Sequence, residues 1–212
     1  MIVDRMRNWK RFSLRSVFVL MTACCVFFGI WARYVNPYRM QARSLAEVKR
    51  LQGVFAESPA QGTGWQRWLV TTFLGEEAFT RVTYVDLSRR NVNDDALRSL
   101  AGLVYVEELK LDFTSITNDG LAALRSMRNL QRLWLRYTAV SDAAASYLET
   151  FPRLDTVFLT GTHMTDAAVD RLARLDSISD LHIRWTRISN EGAERLVAAM
   201  PNCAVHHHAL QP

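Results

Sequence analysis

The chain has 212 residues and a formal net charge of +5, and its length suits one domain with an appendage or two small domains. Residues 1–53 carry ten Lys or Arg against two Asp or Glu, whereas residues 54–212 carry sixteen against nineteen. The basic character therefore belongs to the N-terminal segment. The mildly acidic remainder argues against a general phosphate-binding surface, so no nucleic-acid partner is predicted.

The first predicted element is a membrane-spanning helix at residues 16–34, which follows a basic tail at residues 1–15. Its centre, Ser16 to Ala32, contains no charged residue, and 17 helical residues extend about 25 Å, near the short limit for a bilayer. Trp31 and Tyr34 stand where interfacial aromatic residues are expected. Positive charge is densest before the span, which predicts a single-pass protein with a cytoplasmic N-terminus and an extracytoplasmic C-terminal part.

Two alternatives remain for this segment. One is a cleavable secretory signal, because basic residues precede an apolar stretch, although bulky Ile30 and Trp31 lie before the candidate cleavage site at Ala32. The other is a buried core helix, which the lack of a polar stripe disfavours.

A helical connector and N-terminal cap are predicted at residues 35–80. Asn36-Pro37 is expected to end the first helix, and an amphipathic helix follows up to Gly53. The Pro and Gly content of "VFAESPAQGTG" predicts a loop at residues 54–64. The next segment, Trp65 to Phe79, has apolar residues at helical spacing and is predicted to cover the first turn of the domain that follows.

Residues 81–208 contain five copies of a 24-residue unit, and "LKLDFTSITNDGLAALRSM" (Leu109–Met127) is part of one of them. Numbered from its first apolar residue, the unit has apolar side chains at positions four, six, eleven and nineteen. Position four holds Val85, Leu109, Leu133, Val157 and Leu181, and position six holds Leu87, Leu111, Leu135, Leu159 and Ile183.

Each unit is predicted to form a strand, a polar turn and a short helix. Positions four and six share one face of a strand because side chains alternate, and Asn, Asp, Ser or Thr then precedes a segment of helical spacing. One unit cannot bury its own apolar face, so the units must stack. The predicted fold class is therefore α/β, a solenoid with a short parallel sheet inside and helices outside.

The unit resembles a leucine-rich repeat of the 24-residue bacterial type. The whole layout resembles the membrane-anchored leucine-rich repeat proteins of planctomycete bacteria. This resemblance implies that the threonines of position nine, Thr114, Thr138, Thr162 and Thr186, form a ladder bonded to neighbouring turns.

No catalytic constellation or phosphate-binding loop is found in the sequence, so an enzyme and a cofactor are not predicted. Cys203 and His206–His208 have the residue types of a metal site, but neighbouring histidines on a strand face opposite ways. Cys203, His206 and His208 are expected at apolar positions of a terminal edge strand, and no metal site is predicted.

The concave face of the sheet is the predicted binding surface, because aromatic and arginine side chains point outward from it. The alternative is that these aromatic residues only pack within a curved sheet. The candidate partner-binding residues are Arg132, Trp134, Arg136, Tyr137, Phe158, His182, Arg184 and Trp185.

The predicted function is a non-enzymatic, membrane-anchored module that binds a protein or another macromolecule. The alternative is a structural envelope protein that self-associates without a specific ligand. A substrate adaptor would need a recruiting motif before the repeats, and none is recognised.

Overall fold

The computed structural model describes residues 14–207. Most of the predicted basic tail at residues 1–15, and His208 at the other end, lie outside this range. The helices are α1 (Leu14–Ile30), α2 (Asn36–Arg50), α3 (Gly64–Leu74), α4 (Asp94–Ser99), α5 (Asn118–Ala123), α6 (Ala144–Leu148), α7 (Val169–Leu172) and α8 (Asn190–Ala199). The strands are β1 (Val54–Pro59), β2 (Thr80–Asp86), β3 (Glu108–Lys110), β4 (Arg132–Trp134), β5 (Thr156–Phe158), β6 (Asp180–His182) and β7 (Ala204–His206).

One seven-stranded sheet holds the strands in chain order. From β2 onward the strands are parallel, and each pairs with the strand 24 residues later, as Leu109 does with Leu133. The predicted register is therefore confirmed for β2 to β6. A helical segment follows each of the strands β2 to β6. It brings the chain back to the end of the sheet at which the next parallel strand begins, so successive units can stack.

Apolar side chains from successive turns form one continuous core between the sheet and the helices. Positions four and six are buried in all five units, and position nineteen is buried in all five as well. Fully burying one leucine contributes about 1.5–3 kcal/mol. Repetition of these columns therefore supplies a large share of the apolar burial in the described domain.

The predicted break at Asn36-Pro37 is wrong. A π-helical turn, Trp31–Val35, joins α1 to α2, and the Asn36 N–H donates to the carbonyl of Trp31, five residues back. Pro37 lies in the first turn of α2, where its missing N–H costs little. The π turn accommodates the proline without ending the helix.

The predicted loop at residues 54–64 is also wrong for its first half. Residues Val54–Pro59 form β1, which pairs antiparallel with β2 and shifts register between Ala56 and Glu57. A proline can end an edge strand because no ladder partner needs its N–H on the solvent side. β1 thus forms the outer strand of the sheet and pairs with the side of β2 that no parallel strand occupies.

α2 is the helix that covers the open end of the first repeat unit. The segment from Trp65 to Phe79, which was predicted to do so, does not. Gln41 is buried; its amide nitrogen donates to the Thr80 carbonyl (3.0 Å) and its amide oxygen accepts from the Val82 N–H (3.1 Å). The Ser44 hydroxyl donates to the Ser99 carbonyl at 2.7 Å. α2 therefore satisfies backbone groups that stacking by an earlier turn would otherwise satisfy.

Candidate functional site

The exposed face of the sheet carries a row of stacked rings, the inner row: Trp134, Phe158, His182 and His206. Successive ring centroids lie 4.9, 4.2 and 4.2 Å apart, with interplanar angles of 14°, 20° and 8°. All four occupy position five of their turns, and neighbouring strands lie about 4.8 Å apart, so identical positions must stack. The structure thus brings Trp134, Phe158 and His182 together and extends the row by His206.

Neighbouring rings of the inner row cover each other's faces. Lys110 Nζ lies 4.9 Å from the Trp134 ring at the free end of the row, and the inner-row side chains are partly buried. The rings of the inner row therefore pack against one another and stay partly exposed.

Two of the candidate arginines are paired with carboxylates of the preceding turn. Arg132 Nη2 lies 2.5 Å from Glu108 Oε2. Arg136 donates from its backbone N–H to one oxygen of the buried Asp112 (2.9 Å) and from Nε and Nη2 to the other. These cations therefore position the turns against each other, whereas Arg184 is exposed.

A second aromatic row lies at the end of the strands, at position eight, and is called the rim row: Phe113, Tyr137 and Trp185. Their side chains are 47%, 43% and 62% exposed. All three adopt a left-handed backbone conformation, with φ of 57°, 54° and 53°. For bulky residues that conformation is unfavourable, and the turns hold it because the Phe113 N–H donates to the Arg136 carbonyl in the next turn.

The rim row is continuous because the fourth turn has glycine where the others have large side chains. A Cβ added at Gly161 would lie 2.5 Å from Tyr137 Cδ1. Phe113 and Tyr137 stack at 4.7 Å, and Tyr137 reaches Trp185 at 6.4 Å across the glycine. The sequence placed these aromatic residues at the rim, but their left-handed backbone could not be read from residue type.

The threonines of position nine stabilise the loop that follows each strand, but not through the predicted bonds to neighbouring units. The hydroxyls of Thr114, Thr138 and Thr162 donate to the carbonyl three residues earlier, at 2.6, 2.8 and 2.6 Å. They bond their own turn, so the predicted ladder to neighbouring turns is wrong. Neighbouring turns are joined instead by side chains such as Asp142, whose carboxylate accepts from the Thr165 N–H and hydroxyl.

The far end of the inner row contains a possible set of metal ligands, Asp180, His182 and His206. One ligand atom from each lies within 4.8 Å of the others. Both imidazole Nε2 atoms lie 3.1 Å from Asp180 Oδ1. Burial lowers the pKa of His182, with nearby His206 and Arg184 acting in the same direction and Asp180 opposing them.

This cluster was missed because the last strand was placed in the wrong register. Val205 pairs with Leu181 and takes the apolar position, while His206 pairs with His182 on the exposed face. Cys203 packs against the core instead of facing the histidines. The 24-residue spacing alone, applied to His182, would have identified His206.

Comparison with known proteins supports the fold. No family model and no curated protein sequence matches this chain. Among solved structures, internalin C2 from Listeria monocytogenes is 25% identical over 66% of this chain and 56% of its own, with a TM-score of 0.50. An internalin (inlF) from the same organism is 16% identical over 67% of this chain and 51% of its own, with a TM-score of 0.43.

This chain spans a little over half the length of these internalins. Internalins are leucine-rich repeat proteins. The parallel sheet of this chain, with helices packed on one face, fits the same type of solenoid. The chain therefore has a leucine-rich repeat fold.

Proposed function

We propose that the protein is a single-span membrane protein whose leucine-rich repeats bind a protein partner through the rim row and the edges of the inner row. The observation that carries this proposal is the exposure of three large rings in one line, at backbone positions that disfavour large side chains. Exposed aromatic residues beside arginine are typical of binding hot spots. Leucine-rich repeat folds generally mediate protein–protein interaction, which agrees with this proposal, and no enzymatic activity is proposed.

Membrane anchoring is supported by the first helix. Within residues 14–207, one helix, Phe18–Arg50, is long and apolar enough to cross a bilayer, a property shared by secretory signals near an N-terminus. Its apolar side chains, such as Phe18, Leu20 and Phe28, are 63–73% exposed, so the described part of the chain leaves them uncovered. The proposed orientation leaves the repeats outside the cytoplasm.

Fractionation with protease protection tests anchoring and orientation together. The full chain is expected in the membrane fraction at its unprocessed mass, with residues beyond 35 cleaved by protease added from the extracytoplasmic side. Release of a shortened chain into the soluble fraction would show signal cleavage, and protection of the repeats would reverse the orientation.

Crosslinking in intact membranes tests the binding surface. The full chain, its Tyr137→Ser/Trp185→Ser variant and a Val197→Ser control are compared by quantitative recovery of crosslinked partners. Val197 is 44% exposed on α8, so the control removes an exposed apolar group away from the strands. Loss of a partner with the rim variant alone supports the proposal, and equal recovery with all three chains contradicts it.

The alternative is self-association through the end of the sheet. β7 pairs with β6 and has no second neighbour among the described strands, and an open strand edge can pair with another chain. Concentration-dependent dimerisation of the full chain in detergent, retained by the rim variant, would favour this alternative.

A further inference from the structure

The helix α3 carries an apolar face that the rest of the described protein covers only in part. Trp65, Trp68 and Phe73 are 50%, 64% and 48% exposed. At 3.6 residues per turn, Trp65, Trp68, Thr72 and Phe73 share one side of the helix. The Thr72 hydroxyl donates to the Trp68 carbonyl at 2.6 Å, so its hydrogen-bonding capacity is used within the helix.

This face continues the apolar surface of the first helix. The Phe73 ring lies 4.9 Å from that of Trp31, and the Trp65 ring lies 4.9 Å from that of Tyr34. Trp31 and Tyr34 belong to the π turn that ends the apolar stretch of α1. The exposed rings of α3 therefore lie beside the point at which α1 would leave a bilayer.

The polar groups of α3 are arranged to suit an interfacial position. Arg67 lies on the other side of the helix and pairs with Glu76 at 3.2 Å between Nη2 and Oε2. A capping box formed by Thr63 and Gln66 starts the helix and satisfies N–H groups at its N-terminus. Trp and Tyr favour the membrane interface because one part of each ring is apolar and the other forms hydrogen bonds.

We propose that α3 is an interfacial helix that inserts Trp65, Trp68 and Phe73 among the lipid headgroups beside the membrane span. This proposal rests on the proposed anchoring of α1. Insertion would hold α2 and the repeats at one height and tilt above the bilayer, because α3 contacts the π turn that precedes α2.

Spin-label accessibility in lipid vesicles tests this position. The full chain, with Cys24, Cys25 and Cys203 replaced by serine, receives one label at Thr72, Leu20 or Val197. The ratio of accessibility to oxygen and to a water-soluble nickel complex reports depth. The label at Thr72 is expected several-fold less accessible to nickel than the label at Val197, and Trp68→Ser/Phe73→Ser should restore its accessibility.

The label at Leu20 separates the two proposals. A water-like signal at Leu20 would overturn the anchoring itself. A lipid signal at Leu20 together with a water-like signal at Thr72 would leave the span intact and overturn the interfacial helix.

An independent observation concerns Asp180, His182 and His206. Asp180 Oδ1 is buried and, within the described chain, accepts no hydrogen bond of acceptable geometry, although two imidazole nitrogens lie 3.1 Å from it. A divalent cation would satisfy all three atoms, since imidazole and carboxylate are common ligands of zinc. The two imidazoles stack at 8°, so one ring must rotate for both nitrogens to face the ion.

We infer that these three residues form a zinc-type site with a fourth position open to solvent, at the far end of the inner row. His206 is 40% exposed, which leaves room for water or a partner's ligand. A metal ion at this place would add a coordinating group to the proposed binding surface.

Zinc titration against a chromogenic chelator tests the site in the detergent-solubilised full chain. His206→Asn and Asp180→Asn should each weaken zinc binding at least about tenfold, while His163→Asn, which alters an exposed histidine elsewhere, should not. Thermal unfolding without metal checks that the variants fold. Absence of micromolar binding, or loss of binding with Cys203→Ser alone, would overturn the inference.

Discussion

The repeats and the N-terminal region join the same sheet but form by different means. In the repeats, the contacts of one turn recur in the next, as the columns beginning with Val85 and Leu87 show. The N-terminal region has single contacts, such as Gln41 against the start of β2. Periodicity therefore predicted the repeats, whereas it carried no information about which helix would cover their end.

The largest loss of stability is expected when a core residue of the third repeat unit is shortened. Leu133 is fully buried between the sheet and the helices, so Leu133→Ala should lower the free energy of unfolding by about 2–5 kcal/mol. Val197→Ala, at an exposed site of α8, should change it by less than about 0.5 kcal/mol. Denaturant unfolding of the full chain in detergent measures both, and equal effects would contradict the continuous core.

The cap should be sensitive to loss of one polar side chain. Gln41→Ala removes the hydrogen bonds that this side chain forms with the Thr80 carbonyl and the Val82 N–H. Loss of the acceptor of the buried Val82 N–H costs about 1–3 kcal/mol. Hydrogen exchange should increase first in β2 while β5 and β6 stay protected. A uniform increase along the chain would show that the cap and the repeats unfold as one unit.

A smaller effect is expected where the rim row passes the fourth turn. Gly161 has φ of 72°, and an added Cβ would meet the Tyr137 ring. Gly161→Ala should therefore cost about 1–2 kcal/mol and displace the ring, which an altered near-ultraviolet dichroism signal would report. Gly64→Ala, where nothing lies within 4 Å, serves as the control and should leave that signal unchanged.

The smallest effect concerns pH and the bonds between turns. Hydrogen bonds from the Ser189 hydroxyl and N–H hold the pKa of Asp166 below 3.8. A carboxyl with a lowered pKa in the folded state stabilises it above about pH 3.8 and loses that effect as pH falls through the folded value. Asp166→Ala should therefore reduce stability at pH 6, and this loss should become smaller as the pH is lowered below about 3.8. An equal loss at every pH would contradict this.

Sequence reasoning reached the repeat fold because each apolar column was sampled five times. The N-terminal cap was assigned to the wrong helix, since α2 and the segment from Trp65 both have apolar residues at helical spacing. What distinguishes them is Gln41 and Ser44, polar side chains whose backbone partners are 39 and 55 residues away. Such distant pairs occur once and leave no periodic signal.

The candidate site also has one part that the sequence predicted and another that only the structure shows. Trp134, Phe158 and His182 were placed in one row by the 24-residue spacing, and their stacking follows from strand separation. The pairing of Arg132 with Glu108 and Arg136 with Asp112, and the place of His206 beside His182, depended on side-chain geometry and the register of the last strand. Whether these rows bind a partner stays a prediction.

The amino-acid sequence by itself determined that the chain coils into stacked turns with a shared apolar interior, because that is the way to bury regularly spaced leucines. Only the tertiary structure decided which helix closes the stack, which charges neutralise each other and which rings remain in contact with solvent. Those outcomes depend on contacts between residues far apart in the chain, whose energies are set by distance and orientation and not by residue type.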